Sequence, residues 1–305
     1  MTAGALRYDT VTFMSDYGLA DEFVGVVHSV IRSIAPGVRV IDLTHLVPRY
    51  DIRAGALTLA RSAPYLCPGV VLAVVDPGVG SERRAIAVEV DNGTSVLVGP
   101  DNGLLALAVA WCGGATAAVV LDNPDYQLEA PGPTFAGRDI FAPAAAHLCA
   151  GVPLDELGTP LDPARLMPGF LPITRVENGS LVAEVLWVDQ YGNAQLNVDP
   201  NEVAEFGEVI ELSFNGQQRV ARRVNSFTEI GPGEVGLLVD SYGSLTIALD
   251  RQSAAAELGI STSTEVVLSP IGENNPGHQQ QPTVVTTPVR LVRRADDQTR
   301  QEEHS

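Results

Sequence analysis

The run Val70-Val71-Leu72-Ala73-Val74-Val75, followed by Asp76-Pro77-Gly78-Val79-Gly80-Ser81-Glu82-Arg83-Arg84, decides the fold of this 305-residue chain. An unbroken apolar run of strand length, rich in β-branched residues, is the pattern of a strand buried on both faces, as in a parallel sheet. The run ends on a carboxylate. Pro77, Gly78 and Gly80 then force an irregular turn, and two arginines follow. In open α/β sheets, ligands bind in the crevice beyond the carboxyl ends of the strands. Asp76 stands at such an end, with Arg83 or Arg84 able to fold back towards it. The spacing alone also fits a strand-end turn carrying a surface ion pair.

Working outward, Thr10 to Ser15 reads as a first strand ending at Asp16-Tyr17-Gly18. Asp21 is expected to open a helix, because Phe23, Val26, Val27, Val30, Ile31 and Ile34 recur at spacings of three and four. Ala35-Pro36-Gly37 stops it. Val38 to Leu43 is a second strand, and Asp51 starts a second helix through Ala60, before Pro64. This βαβαβ order implies a parallel sheet with right-handed crossovers. Ala85–Val90 and Ser95–Val98 flank Asp91-Asn92-Gly93, a hairpin signal. A helix over Leu104–Trp111, a strand over Ala117–Leu121 and a helix from Gly137 towards Cys149 complete the first half. Pro153 to Pro172 holds five prolines and reads as a linker. Beyond it helical periodicity largely disappears. Short strands over 181–188, 209–214, 235–239 and 245–248 alternate with Gly, Asn and Pro turns, suggesting a small antiparallel barrel. The expected fold class is therefore an α/β N-terminal domain with a central, mostly parallel sheet, over 8–165, plus a C-terminal antiparallel β-barrel domain over 173–271. Residues 272–305, rich in Asn, Gln, Thr and charge, are expected to be disordered.

Composition narrows the function. The net charge of −18, from 19 Lys+Arg against 37 Asp+Glu, argues against nucleic acid and anionic membrane surfaces as partners. Cys67, Cys112 and Cys149 are an odd number without CxxC spacing, so neither a zinc site nor a disulfide framework is expected. Reduced thiols, and an N-terminus without an apolar signal core, point to the cytoplasm. The 18 uncharged residues from Leu104 to Leu121 have the length of a membrane span, but Gly113-Gly114 breaks them into a helix, a turn and a strand. No GxGxxG follows the first strand, and neither GxxxxGK[ST] nor GxSxG occurs, which excludes the dinucleotide, P-loop and nucleophile-elbow readings at their own motifs.

Seven motifs in one order carry a resemblance: Phe13-Met-Ser-Asp16-Tyr-Gly18, Asp42-Leu-Thr-His45, Asp76-Pro-Gly-Val-Gly80, Gly99-Pro-Asp-Asn-Gly103-Leu, Thr134-Phe-Ala-Gly-Arg-Asp-Ile-Phe141, Asp189-Gln-Tyr-Gly-Asn193 and Asp240-Ser-Tyr-Gly243. Over roughly residues 10 to 270 the chain resembles the S-adenosylmethionine hydroxide adenosyltransferases, relatives of the fluorinase and chlorinase enzymes. The resemblance implies hydrolysis of S-adenosylmethionine to adenosine and methionine by in-line attack of water at C5′. It also implies a homotrimer whose sites lie between one subunit's N-terminal domain and a neighbour's barrel. No cofactor and no metal are expected, since S-adenosylmethionine is the substrate.

By the same resemblance, Asp76 and Arg83 handle the attacking water, with the arginine orienting it and the carboxylate fixing the guanidinium. Asp16 holds the ribose diol, since a carboxylate accepts two hydrogen bonds. Asp189 and Ser241 hold the methionine ammonium and carboxylate. Asn193 pairs with adenine, and Tyr191 and Phe227 stack on it. Tyr50 and Asn102 are weaker pocket contacts. One departure stands out: the histidine of the family's Thr-Phe-His-Gly-Arg-Asp is Ala136 here. His45 and His147 are the first places to look for a substitute. The Asp76–Arg83 pair, the four-residue step from Asp189 to Asn193 and the lack of fluorinase's long insertion favour hydrolysis. The alternatives are a halogenase using chloride, or an S-adenosylmethionine- or adenosine-binding protein with little turnover.

Overall fold

The computed structural model describes residues 6–271; the tail over 272–305, expected to be disordered, lies outside the described residues. The elements of the first half are β1 (Thr10–Ser15), α1 (Phe23–Ile34), β2 (Arg39–Thr44), α2 (Ile52–Ser62), β3 (Val70–Val74), β4 (Ala85–Val90), β5 (Ser95–Pro100), α3 (Ala106–Trp111), β6 (Ala115–Val120), α4 (Ala142–Cys149) and β7 (Thr159–Pro160). They build a seven-stranded sheet in the order β2-β1-β3-β5-β4-β6-β7. The first four strands of that order are parallel, and the rest are antiparallel.

β3 sits inside the sheet with every residue buried, which is why its sequence shows no polar alternation. α1 and α4 pack on one face through Val27, Ile31, Ala142 and Ala145; α2 and α3 pack on the other through Ala54, Leu59 and Ala108. The chain leaves β1 for β2 on one side and returns to β3 on the other. β1 is therefore the topological switch point, where a crevice opens beyond the strand ends.

Two local expectations are corrected, and two others hold. Asp21 does not open α1: the N-cap is Glu22, which makes no side-chain capping bond. Asp51 does cap α2, accepting from the Ala54 N–H. The proline-rich stretch is not wholly a linker, because Thr159–Pro160 adds an edge strand to β6, where proline's missing N–H costs nothing. The uncharged run 104–121 divides into α3, a glycine turn and β6, and no helix among the described residues is long and apolar enough to cross a membrane.

The second half comprises β8 (Arg175–Glu177), β9 (Ser180–Val188), β10 (Ala194–Leu196), β11 (Val209–Phe214), β12 (Gln217–Arg223), β13 (Val235–Val239), β14 (Leu245–Leu249), α5 (Ala254–Leu258) and β15 (Glu265–Pro270). The ring β10-β14-β13-β12-β11-β15-β9 closes through β9–β10, and β8 hangs on β9. The expected barrel is present, antiparallel at every pairing but β12–β13, which is parallel. Closure removes the exposed edges that short strands would otherwise present.

α2 joins the two halves. Arg53 donates to Glu184 at 2.7 Å and to the Ser263 hydroxyl at 3.1 Å. Arg61 donates to Gln195 at 3.1 Å, with its guanidinium 4.7 Å from the Trp187 ring centre. Leu72, fully buried at the middle of β3, carries the packing of the first core. Leu72→Ala is expected to cost about 2–5 kcal/mol, read as a lower urea midpoint, with the far-ultraviolet spectrum of the folded state unchanged.

Candidate active site

β1 and β3 pair in register, Phe13 opposite Leu72 and Ser15 opposite Val74, so both strands deliver a carboxylate to the same edge. Asp16 follows β1, and its N–H donates to the Val74 carbonyl at 3.3 Å. Asp76 follows β3. Both line a cleft of about 790 Å³ with Tyr17, Tyr50, Phe23, Phe135 and Ala136 among its walls. Asp21, Glu22, Arg49 and Arg138 also border it. Four carboxylates against two guanidiniums make the cleft acidic, which suits a cationic ligand. Asp21 was legible in sequence only as a helix-start residue, and Glu22 was not singled out there.

Asp16 is held from the side by the Tyr50 N–H, which donates to Oδ2 at 2.9 Å. Its other oxygen has no hydrogen bond among the described residues. Tyr50 has φ 66°, an uncommon left-handed conformation for an aromatic residue, and its ring is exposed. The turn after Asp16 is tied down by Gly18, whose N–H donates to the His45 carbonyl at 2.8 Å.

Asp76 is gripped from behind. Arg83 Nε donates to both its oxygens, at 2.9 and 3.0 Å, and Nη2 donates to Oδ2 at 2.5 Å. Both side chains are largely buried, and the guanidinium lies 5.2 Å from the Phe141 ring centre. Arg83 does not itself line the cleft. The geometry thus gives the front position to Asp76 and the supporting one to Arg83, the reverse of the expected division. Arg84 is committed elsewhere, to Asp101 and to the Arg165 carbonyl.

Ala136 is buried at the cleft wall, and no histidine among the described residues lines the cleft. His45 is buried against Ser15 and Asp42, and His147 packs 4.9 Å from Tyr126. Burial holds the His147 imidazole below its ordinary pKa. Tyr17 is a polar residue of the same cleft wall, packed against Gly137 next to this gap. Its hydroxyl comes so close to Gly137 that a Cβ there would lie 2.0 Å from the oxygen, so glycine is required. The ring is wedged edge-on among Phe13, Phe23 and Phe135, and the hydroxyl has no hydrogen-bond partner among the described residues. Burial, reinforced by the charges of Asp16 and Asp76, pushes the phenol well above its ordinary pKa, so it stays protonated.

Asn102 does not border the cleft. It donates to the Val75 carbonyl at 2.9 Å and accepts from the Leu104 N–H at 3.1 Å, bracing the strand end behind Asp76. The barrel residues stand apart too: among the described residues, all that line the cleft fall between 16 and 138, so Asp189, Tyr191, Asn193, Phe227 and Ser241 are not brought to it within one chain. Asp189 accepts from the Tyr191 and Asn193 N–H groups and from the Asn193 side chain, which closes a tight loop. Gly192 supplies that loop's positive φ of 82°. The Ser241 loop repeats the device, Asp240 accepting from the Tyr242 and Ser244 N–H groups. Asp240 also accepts from Gln195, the partner of Arg61. Tyr191, Phe227 and Ser241 are exposed.

Comparison with known proteins agrees with this architecture. Residues 11–158 match the SAM hydroxide adenosyltransferase N-terminal domain, and residues 183–267 match the C-terminal domain of the same family. The (R)-S-adenosyl-L-methionine hydrolase of Salinispora tropica is 46% identical over 250 residues, covering 82% of this chain and 94% of the relative. A fluorinase of an Actinoplanes species is more distant, at 26% identity over 272 residues, 78% of this chain and 90% of the relative. An uncharacterized conserved protein from Thermotoga maritima superposes with a TM-score of 0.77 at 31% identity, over 85% of this chain and 99% of that one. Two strand-end carboxylates at a sheet's switch point, a barrel bearing paired aspartate loops, and matches to both domains lead to one assignment: the chain belongs to the SAM hydroxide adenosyltransferase family.

Proposed function

We propose that this protein hydrolyses S-adenosyl-L-methionine, with water, to adenosine, L-methionine and a proton. The observation that carries the reading is the arginine-clamped Asp76 facing an acidic cleft beside Asp16. A relative at 46% identity is named for the (R) sulfonium epimer, and the proposal extends to that epimer.

Each group has a task in the displacement. The free oxygen of Asp16 accepts from the ribose diol, which holds C5′ in position. The acidic rim draws in a substrate that carries a sulfonium and an ammonium. Water donates one hydrogen to Asp76, and its lone pair points at C5′ opposite the departing sulfur. Arg83 keeps the Asp76 carboxylate from swinging out of line. The Tyr17 hydroxyl accepts the second hydrogen of that water, standing in for the side chain that Ala136 lacks. As a neutral phenol it positions the water and does not take its proton; the proton leaves late, through Asp76, because the sulfonium is a good enough leaving group for attack to come first. The aromatic cage around Tyr17 limits competing solvent and favours the loss of positive charge from sulfur.

The barrel residues complete a second copy's cleft in this reading. Tyr191 and Phe227 stack on the adenine, Asn193 pairs with its edge, and Asp189 and Ser241 hold the methionine end, all across a subunit boundary in a homotrimer. Support comes from the exposure of Tyr191, Phe227 and Ser241 and from the confinement of the cleft, among the described residues, to the first half.

Incubation with each sulfonium epimer, followed by chromatography, is expected to give adenosine and methionine from the (R) form. A chlorinated nucleoside in the presence of chloride, or no product at all, would overturn the hydrolytic reading. Sedimentation is expected to find a trimer, and a fully active monomer would refute the shared site. Tyr17→Phe is expected to lower kcat about ten-fold with KM little changed, the scale of one lost hydrogen bond. Adding Ala136→His in that background is expected to recover turnover. A Tyr17→Phe variant as fast as wild type removes the hydroxyl from the mechanism.

A further inference from the structure

Away from the cleft, three side chains from separate segments converge at the open edge of the first sheet. His28 comes from α1, Asp42 from the edge strand β2, and His45 from just beyond that strand. His28 Nε2 lies 2.8 Å from Asp42 Oδ1, and His45 Nε2 lies 3.0 Å from the same oxygen. The three donor atoms all lie within 4.8 Å of one another. None of the three residues lines the cleft.

Two observations point to a ligand rather than to a plain ion pair. His45 is 4% exposed, and its Nε2 is buried without an aligned hydrogen-bond partner despite the nearby carboxylate oxygen. Leaving such an atom unmatched is unfavourable, and a bound cation would use its lone pair. The other ring nitrogen, Nδ1, is already engaged by the Ser15 hydroxyl at 2.8 Å, and the ring packs 4.5 Å from Phe13. Metal-binding histidines are oriented in this way by a hydrogen bond on the far nitrogen. His28 and Asp42 are partly exposed, which leaves a path to solvent.

We propose that His28, Asp42 and His45 form a binding site for a divalent first-row transition metal of the zinc class. Two imidazoles and one carboxylate suit zinc, cobalt and nickel; magnesium and calcium prefer all-oxygen sets. The site is structural in position. It joins α1 to β2 and fixes the His45 ring, and His45 in turn holds Ser15 through Nδ1 and Gly18 through its carbonyl. These residues bracket Asp16 and Tyr17, so the metal stiffens the turn that presents both. The proposal does not depend on which reaction the cleft performs.

The test uses the full chain, stripped with a chelator and dialysed. Titration with zinc chloride in a calorimeter, and with cobalt chloride followed by visible absorption, is expected to show one ion per chain. Zinc is expected to raise the thermal midpoint of wild type and to leave that of His28→Ala and Asp42→Asn unmoved. Both variants should bind zinc at least about ten-fold more weakly. His28 is partly exposed, so His28→Ala is expected to fold, as checked by circular dichroism. Absence of stoichiometric binding by wild type overturns the proposal. Binding by both variants with the affinity of wild type overturns it equally, since the ion would then sit elsewhere.

Discussion

The parallel pairing of β1 with β3 is the constraint on which the rest depends. Parallel strands end at the same edge, so their following residues become neighbours although 60 positions of chain separate Asp16 from Asp76. Because the chain crosses to opposite sides of β1, no connection covers the space between those ends. The walls come from what the crossovers bring back: Tyr50 from the loop after β2, and Phe135 to Gly137 from the turn before α4. An apolar core on both faces of the sheet fixes this frame, and the polar groups inherit their positions from it.

The Asp76–Arg83 pair is a device of orientation more than of stability. Two largely buried charges lose hydration that their mutual attraction only partly repays, so replacing the pair with apolar groups need not destabilise the fold. What the pair secures is direction. Three donor contacts from one planar guanidinium leave the carboxylate few rotations. Asp189 and Asp240 apply the same economy in the barrel. One oxygen of each carboxylate accepts from two N–H groups of its own loop, and what this gains is an exposed aromatic residue, Tyr191 or Tyr242, held at a fixed tip. The chain Arg61–Gln195–Asp240 connects one of these loops to α2, and so to the first half.

The sequence by itself determined the elements whose causes are local. β1 and α1 follow from periodicity, α2 from its Asp51 cap, the β4–β5 hairpin from Asp91-Asn92-Gly93, and β3 from an unbroken apolar run. Ordered motifs identified the family, and with it the candidate residues in both halves. Short strands with polar faces, such as β12 with its Gln217-Gln218-Arg219 start, were not legible, because barrel closure and not propensity makes them strands.

Only the tertiary structure decided which groups meet. It put Asp76 in front of Arg83, gave Arg84 to Asp101, and turned Asn102 inward to brace a strand end. It brought the Tyr17 hydroxyl against Gly137, a contact across 120 positions that no spacing rule encodes. It also gathered His28, Asp42 and His45 from a helix, an edge strand and a loop, where the sequence offers no metal-ligand spacing. The physical reason is common to all of these. A side chain's partners are set by the packing of whole elements at sheet edges and strand ends, and that packing is a property of the assembled core and not of any window of sequence.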